Sequence, residues 1–312
     1  MNSIICLDKK YSTTRLVTKE KPYIVNNPND KLKKFFFFPT VEGRVAEGGL
    51  RGKGYYKRSF EDKPLISIVT SVFNGEDYLE DAILSVINQT YDNVEYIIID
   101  GGSTDGTLDI IKKYTDKIDY WISEKDKGIY DAWNKAVQIS CGKWIGFLGA
   151  DDFYELQAIQ KYVENINQIT EVEFISSQSY FCTKDKKIIR KIGKPWNWKD
   201  FSIYMNVAHS GSLHHKSLYE KYGIYDINFK VCGDYDFLLR AGNKLKAGFV
   251  NQILCNMRIG GISHGGTSKI FEEIYQAKFK NNTRPTSLHI YIDTLWARLK
   301  WIISKYYYNK KT

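Results

Sequence analysis

The chain has 312 residues, of which 43% are hydrophobic and 26% charged, and its formal net charge is +9 at pH 7. This composition is typical of a soluble globular protein and excludes a disordered or collagen-like chain. The five cysteines form no Cys-x-x-Cys pair, so a reducing cytoplasm fits better than a disulfide framework or a zinc knuckle. No apolar run reaches the roughly 18 residues that a membrane span needs, and the N-terminus lacks a signal-peptide core. We expect a protein of the cytoplasm or of a membrane surface, whose positive charge favours anionic partners.

The first part of the chain gives little periodic signal. A run of four phenylalanines at 35–38 is too short to span a membrane, and the glycine-rich segment 48–54 indicates turns. We interpret residues 1–62 as an N-terminal extension whose role the sequence does not define.

From Pro64 onward, β-branched runs alternate with amphipathic segments. Strands are predicted at 65–72, 94–99, 120–123 and 143–148, and helices at 76–89, around 108–114 and at 129–140. Because strand and helix alternate at this spacing, the pattern predicts an α/β fold with a parallel sheet covered on both faces.

The ends of these strands carry polar and acidic residues. Ligands of such sheets bind beyond the carboxyl ends of the strands, so we expect these side chains to form one rim. They are Asn74, Asp100, Glu124 with Asp126, and Asp151 with Asp152. An acidic rim that accepts an anionic ligand needs a bridging cation, for which Mg²⁺ or Mn²⁺ with oxygen ligands is suited.

Several common enzyme signatures are absent from the sequence. The first strand is followed by SVFNGED rather than G-x-G-x-x-G, and no G-x-x-x-x-G-K-[ST] occurs, which disfavours NAD enzymes and P-loop NTPases. The five histidines form no H-E-x-x-H, and there is no G-x-S-x-G elbow.

Four segments resemble the family 2 glycosyltransferases of the GT-A fold. They are SIVTSVFNGEDYLEDAILSVINQTY (67–91), IIIDGGSTDGT (97–107), GFLGADD (146–152) and CGDYDFLLR (232–240). A fifth segment, SEKDKGIYDAWNKA (123–136), is similar to the branch of that family found in bacterial surface-polysaccharide clusters, of the colanic acid, O-antigen and capsule type. The resemblance spans roughly residues 48–265.

The resemblance implies a nucleotide-diphosphate sugar donor, a divalent metal and inversion at the anomeric carbon. It places Thr70, Val72 and Asn74 in the nucleoside pocket, and Asp100 as the acceptor of a hydrogen bond from the base, usually uracil. Through the fifth segment it also places Asp126 and Asn134 near the donor, although either side chain is also suited to capping or bridging a helix.

The metal-binding D-x-D of the family is altered in this chain. The motif is Gly149-Ala150-Asp151, so the resemblance assigns Mg²⁺ or Mn²⁺ to Asp151, while Asp152 assists or binds the donor sugar. His264, on a glycine-flanked loop, is a candidate additional metal ligand.

The Glu-Asp catalytic motif of the family is also altered. Gly233 stands in place of the glutamate, and Asp234 is retained as the expected general base; the alternative is that it caps the following helix. We expect Asp236 to be a surface or helix-capping residue. His209 is expected on the acceptor side of the cleft, with a buried structural polar residue as the alternative.

The end of the chain is basic and aromatic. Apolar residues follow helical spacing at Leu288, Ile292, Leu295, Leu299, Ile302 and Tyr306. From residue 284 onward there is one acid, Asp293, against six basic residues: Arg284, Arg298, Lys300, Lys305, Lys310 and Lys311. Trp296, Trp301 and Tyr306 to Tyr308 are of the kind that prefers a membrane interface. The pattern predicts an interfacial helix on anionic lipid, with packing on the catalytic domain or on a dimer partner as the alternative.

Together these observations predict three regions: the extension 1–62, a glycosyltransferase domain 63–265 and a helical tail 266–312. The predicted activity is transfer of a sugar, by inversion, from a nucleotide sugar (a UDP-sugar) to a glycan or lipid-linked saccharide on the inner face of a bacterial membrane, with no nucleic-acid partner. A nucleotidyltransferase that makes nucleotide sugars and a non-catalytic glycan- or membrane-binding scaffold remain alternatives. The donor sugar, the acceptor, the linkage and the oligomeric state are not defined by the sequence.

Overall fold

The computed structural model describes residues 4–26, 29, 31–261, 268–284 and 286–309. Among the helices of these residues, none has both the length and the apolarity that crossing a bilayer requires.

Strands and helices alternate through the middle of the chain. The strands are β1 (Ala46–Gly48), β2 (Ile66–Val72), β3 (Val94–Asp100), β4 (Tyr120–Ser123), β5 (Trp144–Phe147), β6 (Phe153–Tyr154), β7 (Phe174–Cys182), β8 (Ile188–Ile192), β9 (Leu213–His215) and β10 (Ala247–Arg258). The helices are α1 (Ser12–Arg15), α2 (Leu79–Ile87), α3 (Thr107–Lys113), α4 (Ile129–Ile139), α5 (Ala158–Ile166), α6 (Trp198–Phe201), α7 (Ser217–Tyr222), α8 (Gly233–Ala241), α9 (Ser268–Lys280) and α10 (Ser287–Asn309). The strands and helices predicted between residues 65 and 148 are all confirmed, with ends shifted by a few residues.

One mostly parallel sheet organises the described residues. Its strand order is β1-β4-β3-β2-β5-β9-β7-β10-β6, and β8 pairs with β7 outside this path. The pairs β3–β4, β2–β3, β2–β5 and β7–β10 are parallel. Since β9 is antiparallel to both β5 and β7, those two strands point the same way as well. The carboxyl ends of six strands therefore lie along one edge of the sheet.

Helices cover both faces of this sheet, as the α/β prediction requires. Strand side chains alternate between the faces: Ile97 and Ile99 pack with α4, α7 and α8, whereas Ile98 packs with α2 and α5. All three isoleucines have no exposed surface. Because the central strands are buried on both sides, they are continuous apolar runs rather than alternating ones.

The N-terminal region packs against the sheet and its helices. β1 pairs antiparallel with β4, and the Ser12 hydroxyl donates to the carbonyls of Val86 and Ile87 near the end of α2. The Arg51 guanidinium forms a buried ion pair with Glu95 at 2.6 Å. Removing one partner of such a pair would leave an uncompensated buried charge. Ser12, β1 and Arg51 therefore contribute to the same core as the sheet.

Candidate active site

The candidate site lies along the carboxyl edge of the sheet. Along this edge the loops follow the spatial order of the strands. The loops after β3 and β2 lie at one end, the loop after β5 is in the middle, and the loop that leads into β9 is next to it. Neighbouring loops touch, because a Cβ at Gly75 would lie 3.7 Å from the Cβ of Ala150. The loop after β2 thus adjoins the loop that carries Asp151.

Asp100 is the last residue of β3 and has no exposed surface. Its carboxylate accepts hydrogen bonds from the Ser123 hydroxyl at 2.6 Å and from the backbone N–H and hydroxyl of Ser103. Asp100 therefore joins the ends of β3 and β4 to the following loop.

Asn74 forms the second connection at this end of the site. Its backbone has a φ of 51°, a left-handed conformation that asparagine tolerates better than most residues. The side-chain oxygen accepts from the N–H of Thr104 at 2.9 Å, and its own N–H donates to the Ser103 hydroxyl at 2.7 Å. The loops after β2 and β3 are thereby fixed to each other.

Asp126 lies half-buried beside Gly101, the residue that follows Asp100. A Cβ at Gly101 would lie only 2.9 Å from a carboxylate oxygen of Asp126, so glycine provides the space for this carboxylate. Burial raises the pKa of Asp126, and Asp131 and Asp100 add to the shift, although the Gly128 N–H opposes it. The structure therefore brings Asp100 and Asp126 together at the predicted nucleoside end.

The side chains of Thr70 and Val72 face the core. Thr70 is fully buried and shares a hydrogen bond with the Tyr96 hydroxyl at 3.0 Å, while Val72 packs in the cluster of α2. The next residue, Phe73, has 64% of its surface exposed at the end of β2. Phe73 was not among the predicted site residues, although an aromatic residue directly after a buried strand is a signal that the sequence contains.

Arg44 from the N-terminal region also reaches this end of the site. Its guanidinium donates to Glu124 at 2.8 Å, and Lys135 pairs with the other oxygen of that carboxylate at 2.8 Å. Burial alone would raise the pKa of Glu124, but the hydrogen bonds from Lys135 and Arg44 outweigh it and lower the pKa. The sequence offered no signal for Arg44, because its partner lies 80 residues away.

Asp151 and Asp152 follow β5 at the middle of the edge. Asp152 is buried, and it accepts from the Ser210 hydroxyl at 2.5 Å and from the backbone N–H of Arg258 at 3.1 Å. Burial raises the pKa of Asp152 to about 7, with the neighbouring Asp151 adding to the shift. The Arg258 side chain donates to the backbone carbonyl of Asp151 at 2.7 Å. Asp151 is the more accessible of the two carboxylates.

The donor chemistry of this loop suits a magnesium-type ion. Mg²⁺ is commonly held by one or two carboxylates together with substrate phosphates, and Asp151 provides one such carboxylate. Within the described residues, no group of three or more His, Cys, Asp and Glu side chains is arranged to hold a metal ion. The predicted ligand His264 lies outside the described residues.

Asp234 lies in the first turn of α8, whose N-cap is Cys232. One carboxylate oxygen accepts from the Tyr235 N–H at 2.8 Å and from the Tyr130 hydroxyl at 3.3 Å. The other lies 3.8 Å from Nδ1 of His209, and 18% of the Asp234 side chain is exposed. Asp234 is thus held in place while remaining open to a ligand.

His209 is buried in the loop that leads into β9. Its ring stacks on Trp133 with centroids 5.4 Å apart, and the Trp133 indole N–H donates to the Ser71 hydroxyl at 3.1 Å. Burial lowers the pKa of His209, an effect that Asp234 partly opposes. The next residue, Ser210, bonds to Asp152. The loop at 209–210 therefore links Asp234 to the loop after β5.

Two further side chains are structural. Both polar atoms of Asn134 bond to the backbone of Tyr225, at 2.9 and 2.8 Å, and so connect α4 to the chain before α8. The prediction that Asp236 is a surface or capping residue is wrong. It is fully buried and pairs with Arg240 at 2.5 Å, because one turn of helix places the two side chains together, and it also accepts from Asn281.

A mostly parallel α/β sheet with polar loops at its carboxyl edge is the architecture in which nucleotides bind at that edge. Sequence comparison identifies the family. The profile of glycosyl transferase family 2 matches residues 67–222, half of the chain. The chain belongs to glycosyl transferase family 2 and is an enzyme of that class, a glycosyltransferase.

Relatives with similar sequences have names of the same class. An uncharacterized glycosyltransferase of Rickettsia prowazekii is 27% identical over 242 residues, which cover 73% of this chain and 75% of the relative. The putative teichuronic acid biosynthesis glycosyltransferase TuaG of Bacillus subtilis is 40% identical over 106 residues, 33% of this chain and 42% of the relative. A PGL/p-HBAD biosynthesis glycosyltransferase of Mycobacterium bovis is 26% identical over 181 residues, covering 57% and 69%.

Solved structures share the fold. S. aureus TarS in complex with UDP-GlcNAc aligns with a TM-score of 0.58 and 14% identity over 72% of this chain and 69% of that chain. A mannosyltransferase from Pyrobaculum calidifontis, solved with GDP-Man and Mn²⁺, aligns with a TM-score of 0.57 and 15% identity over 79% and 74%. The predicted GT-A fold is thereby confirmed.

Proposed function

We propose that this enzyme transfers a sugar from a UDP-sugar to a saccharide acceptor with inversion at the anomeric carbon. The observation that carries the proposal is the position of Asp234. Its carboxylate is partly exposed and lies beside His209, and the next residue along the chain, Ser210, bonds to the loop after β5. The candidate base is therefore joined, through the segment 209–210, to the loop that carries the candidate metal-binding carboxylate Asp151.

In this proposal Asp234 is the general base. The acceptor hydroxyl loses its proton to the oxygen that faces His209, while its own oxygen forms a bond to the sugar's anomeric carbon. The bond from that carbon to the diphosphate breaks, and UDP leaves with the electron pair. Tyr130 and the Tyr235 N–H hold the other oxygen, so the receiving oxygen keeps a defined direction.

The nucleoside of the donor would lie at the β2–β3–β4 end of the edge. Asp100 and Asp126 support this placement, as does the exposed Phe73, which directly follows Val72, the residue of β2 that pairs with Asp100. Mg²⁺ or Mn²⁺ on Asp151 would offset the negative charge of the departing diphosphate. The Mn²⁺ complex of the mannosyltransferase that shares this fold is in keeping with such a cation.

We further propose a role in the synthesis of a bacterial surface polysaccharide or glycolipid at the inner face of the membrane. The names of relatives in teichuronic acid and PGL/p-HBAD biosynthesis support this class of product.

The described side chains of α10 support docking on a membrane. Ile290 and Thr294 are buried, whereas an apolar set on this helix is between 45% and 65% exposed: Leu288, Tyr291, Ile292, Leu295, Trp296, Leu299 and Ile302. Burying a large aliphatic side chain is favourable by about 1.5–3 kcal/mol, so even partial insertion of several such residues would give stable binding. Replacing Ile292 and Leu299 by serine should reduce co-sedimentation with anionic vesicles without changing the melting temperature.

A screen of nucleotide sugars by thermal shift tests the donor assignment. A ligand that binds only the folded state raises its stability, so a UDP-sugar with Mn²⁺ should raise the melting temperature more than GDP- or CMP-sugars do. Slow release of UDP from the same sugar would separate a transferase from a binding scaffold. Equal shifts for all the nucleotides, with no UDP release, would contradict the proposal.

A further inference from the structure

The hairpin of β7 and β8 lies beside the candidate site. β9 pairs with the first part of β7, at Phe174 and Ile175, and β8 pairs with its last part, at Ser179 to Cys182. β8 therefore lies on the same side of β7 as β9, but closer to the carboxyl edge of the sheet. The hairpin turn contacts the loop after β5 indirectly, because Arg258 donates both to the carbonyl of Lys184 and to that of Asp151.

The other end of the hairpin touches the loop that carries His209. The Lys194 N–H donates to the carbonyl of Asn206 at 3.0 Å, and a Cβ at Gly193 would lie 3.1 Å from that of Ala208. The hairpin thus extends from the loop of Asp151 to the loop of His209. It lies on the side of β5 opposite β3, where the nucleoside is proposed to bind.

This hairpin is strongly basic. Residues 183–194 contain six basic residues and one acid, a net charge of +5. All six are exposed: Lys184, Lys186, Lys187, Arg190, Lys191 and Lys194. Lys186 pairs with Asp81 and Lys187 with Asp185, but in the part of the chain that the structure describes the other four have no carboxylate partner. A surface that is merely solvated needs no such excess of one sign.

We propose that the β7–β8 hairpin binds a phosphate or diphosphate group of the acceptor, so that the acceptor is a phosphate-bearing, lipid-linked saccharide. The inference rests on the proposed function and extends it to the acceptor. An anion bound to the hairpin would lie on the same side of Asp151 as Asp234. The nucleoside of the donor is proposed to bind on the opposite side of Asp151, at the β2–β3–β4 end. Unpaired cations there attract an anionic group and orient it, and the sugar hydroxyl can then reach Asp234.

Vesicle binding with matched variants tests this role. Arg190→Gln with Lys191→Gln removes one cation from each face of β8, because neighbouring strand residues point in opposite directions. Lys143→Gln with Lys244→Gln is the control, since both lysines are exposed at the opposite edge, before β5 and β10. The vesicles are phosphatidylcholine that contains a small fraction of polyprenyl diphosphate, or phosphatidylcholine that contains phosphatidylglycerol at the same surface charge.

The proposal requires the hairpin variant to bind the diphosphate vesicles about two- to fivefold more weakly, the effect of losing one exposed ion pair on the face that meets the anion. The control should bind as the wild type does, and soluble pyrophosphate should compete. Unchanged binding of the hairpin variant would overturn the proposal. An equal loss on phosphatidylglycerol vesicles would also overturn it, because the hairpin would then be a general membrane surface. UDP binding, measured on all three proteins, reports separately on the donor site, so failure of the proposed activity would be recognised independently.

Discussion

Replacing Asp234 with asparagine is the sharpest test of the proposed chemistry. Asparagine has nearly the same shape, and its side-chain oxygen can still accept from the Tyr235 N–H at 2.8 Å and from the Tyr130 hydroxyl at 3.3 Å. The amide nitrogen would then replace the oxygen that lies 3.8 Å from His209. The substitution therefore keeps the local contacts and removes the proton acceptor.

The expected loss follows from the role of a general base. Positioned proton transfer contributes about 10²- to 10⁴-fold to a rate, which corresponds to about 3–5 kcal/mol of transition-state stabilisation. The loss should appear in kcat, since the missing interaction belongs to the transition state and not to donor binding. The Kd for UDP should remain within about twofold of that of the wild type.

The assay measures turnover of the UDP-sugar found in the thermal-shift screen, with UDP binding by calorimetry on the same samples. Asp236→Asn serves as the comparison. It weakens the ion pair of a fully buried carboxylate with Arg240, so it should lower the melting temperature more than the active-site change does. Asp234→Asn protein that retains more than about a tenth of wild-type kcat would refute the assignment of the base.

Three further predictions concern single residues. Asp151→Ala should weaken UDP binding in Mn²⁺ by about tenfold, equivalent to about 1.4 kcal/mol, and leave metal-free binding unchanged; equal affinities in Mn²⁺ would exclude its role as a ligand. Because the pKa of Asp152 is raised to about 7 from 3.8, the folded state holds its proton more tightly than the unfolded chain, and stability falls as the pH rises between these values. Asp152→Asn should make that fall smaller, which melting temperatures at about pH 5 and about pH 8 would reveal; a fall as large in the variant as in the wild type would contradict the reasoning. Gly233→Ala should destabilise by about 1–3 kcal/mol, since the new Cβ would lie 2.7 Å from the ring of Tyr130; Gly52→Ala, with open space around it, is the control for chemical denaturation.

The parallel part of the sheet could be predicted because its signal is local. The run at 65–72 is β-branched and buried on both faces, and its strand, β2, spans Ile66–Val72. The role of the N-terminal region could not be predicted, since its contacts are distant in sequence. Arg51 and Glu95, for example, are 44 residues apart, and nothing in either segment indicates that they form a buried pair.

The candidate site was predicted unevenly, for a similar reason. Motifs located the segments that carry Asp100, Asp151 and Asp234. The structure places Asp100 and Asp151 at one edge of the sheet, and Asp234, in the first turn of α8, beside His209 in the loop that leads into β9. The motifs did not show which way each side chain points. Successive strand residues point to opposite faces of the sheet, and the resemblance does not show which face of β2 Thr70 lies on; in the structure it is buried in the core. Arg44 was missed entirely.

The two altered motifs have a common physical explanation. A Cβ at Gly149 would lie 2.8 Å from a carboxylate oxygen of Asp152, which Ser210 holds in place. A Cβ at Gly233 would meet the Tyr130 ring, whose hydroxyl is bonded to the Val231 carbonyl. At both positions the space that an acidic side chain would need is occupied by a fixed neighbour. Each motif therefore retains one partly exposed carboxylate, Asp151 or Asp234. Asp151→Ala should accordingly weaken UDP binding in Mn²⁺ without a second carboxylate to compensate, and Asp234→Asn should lower kcat.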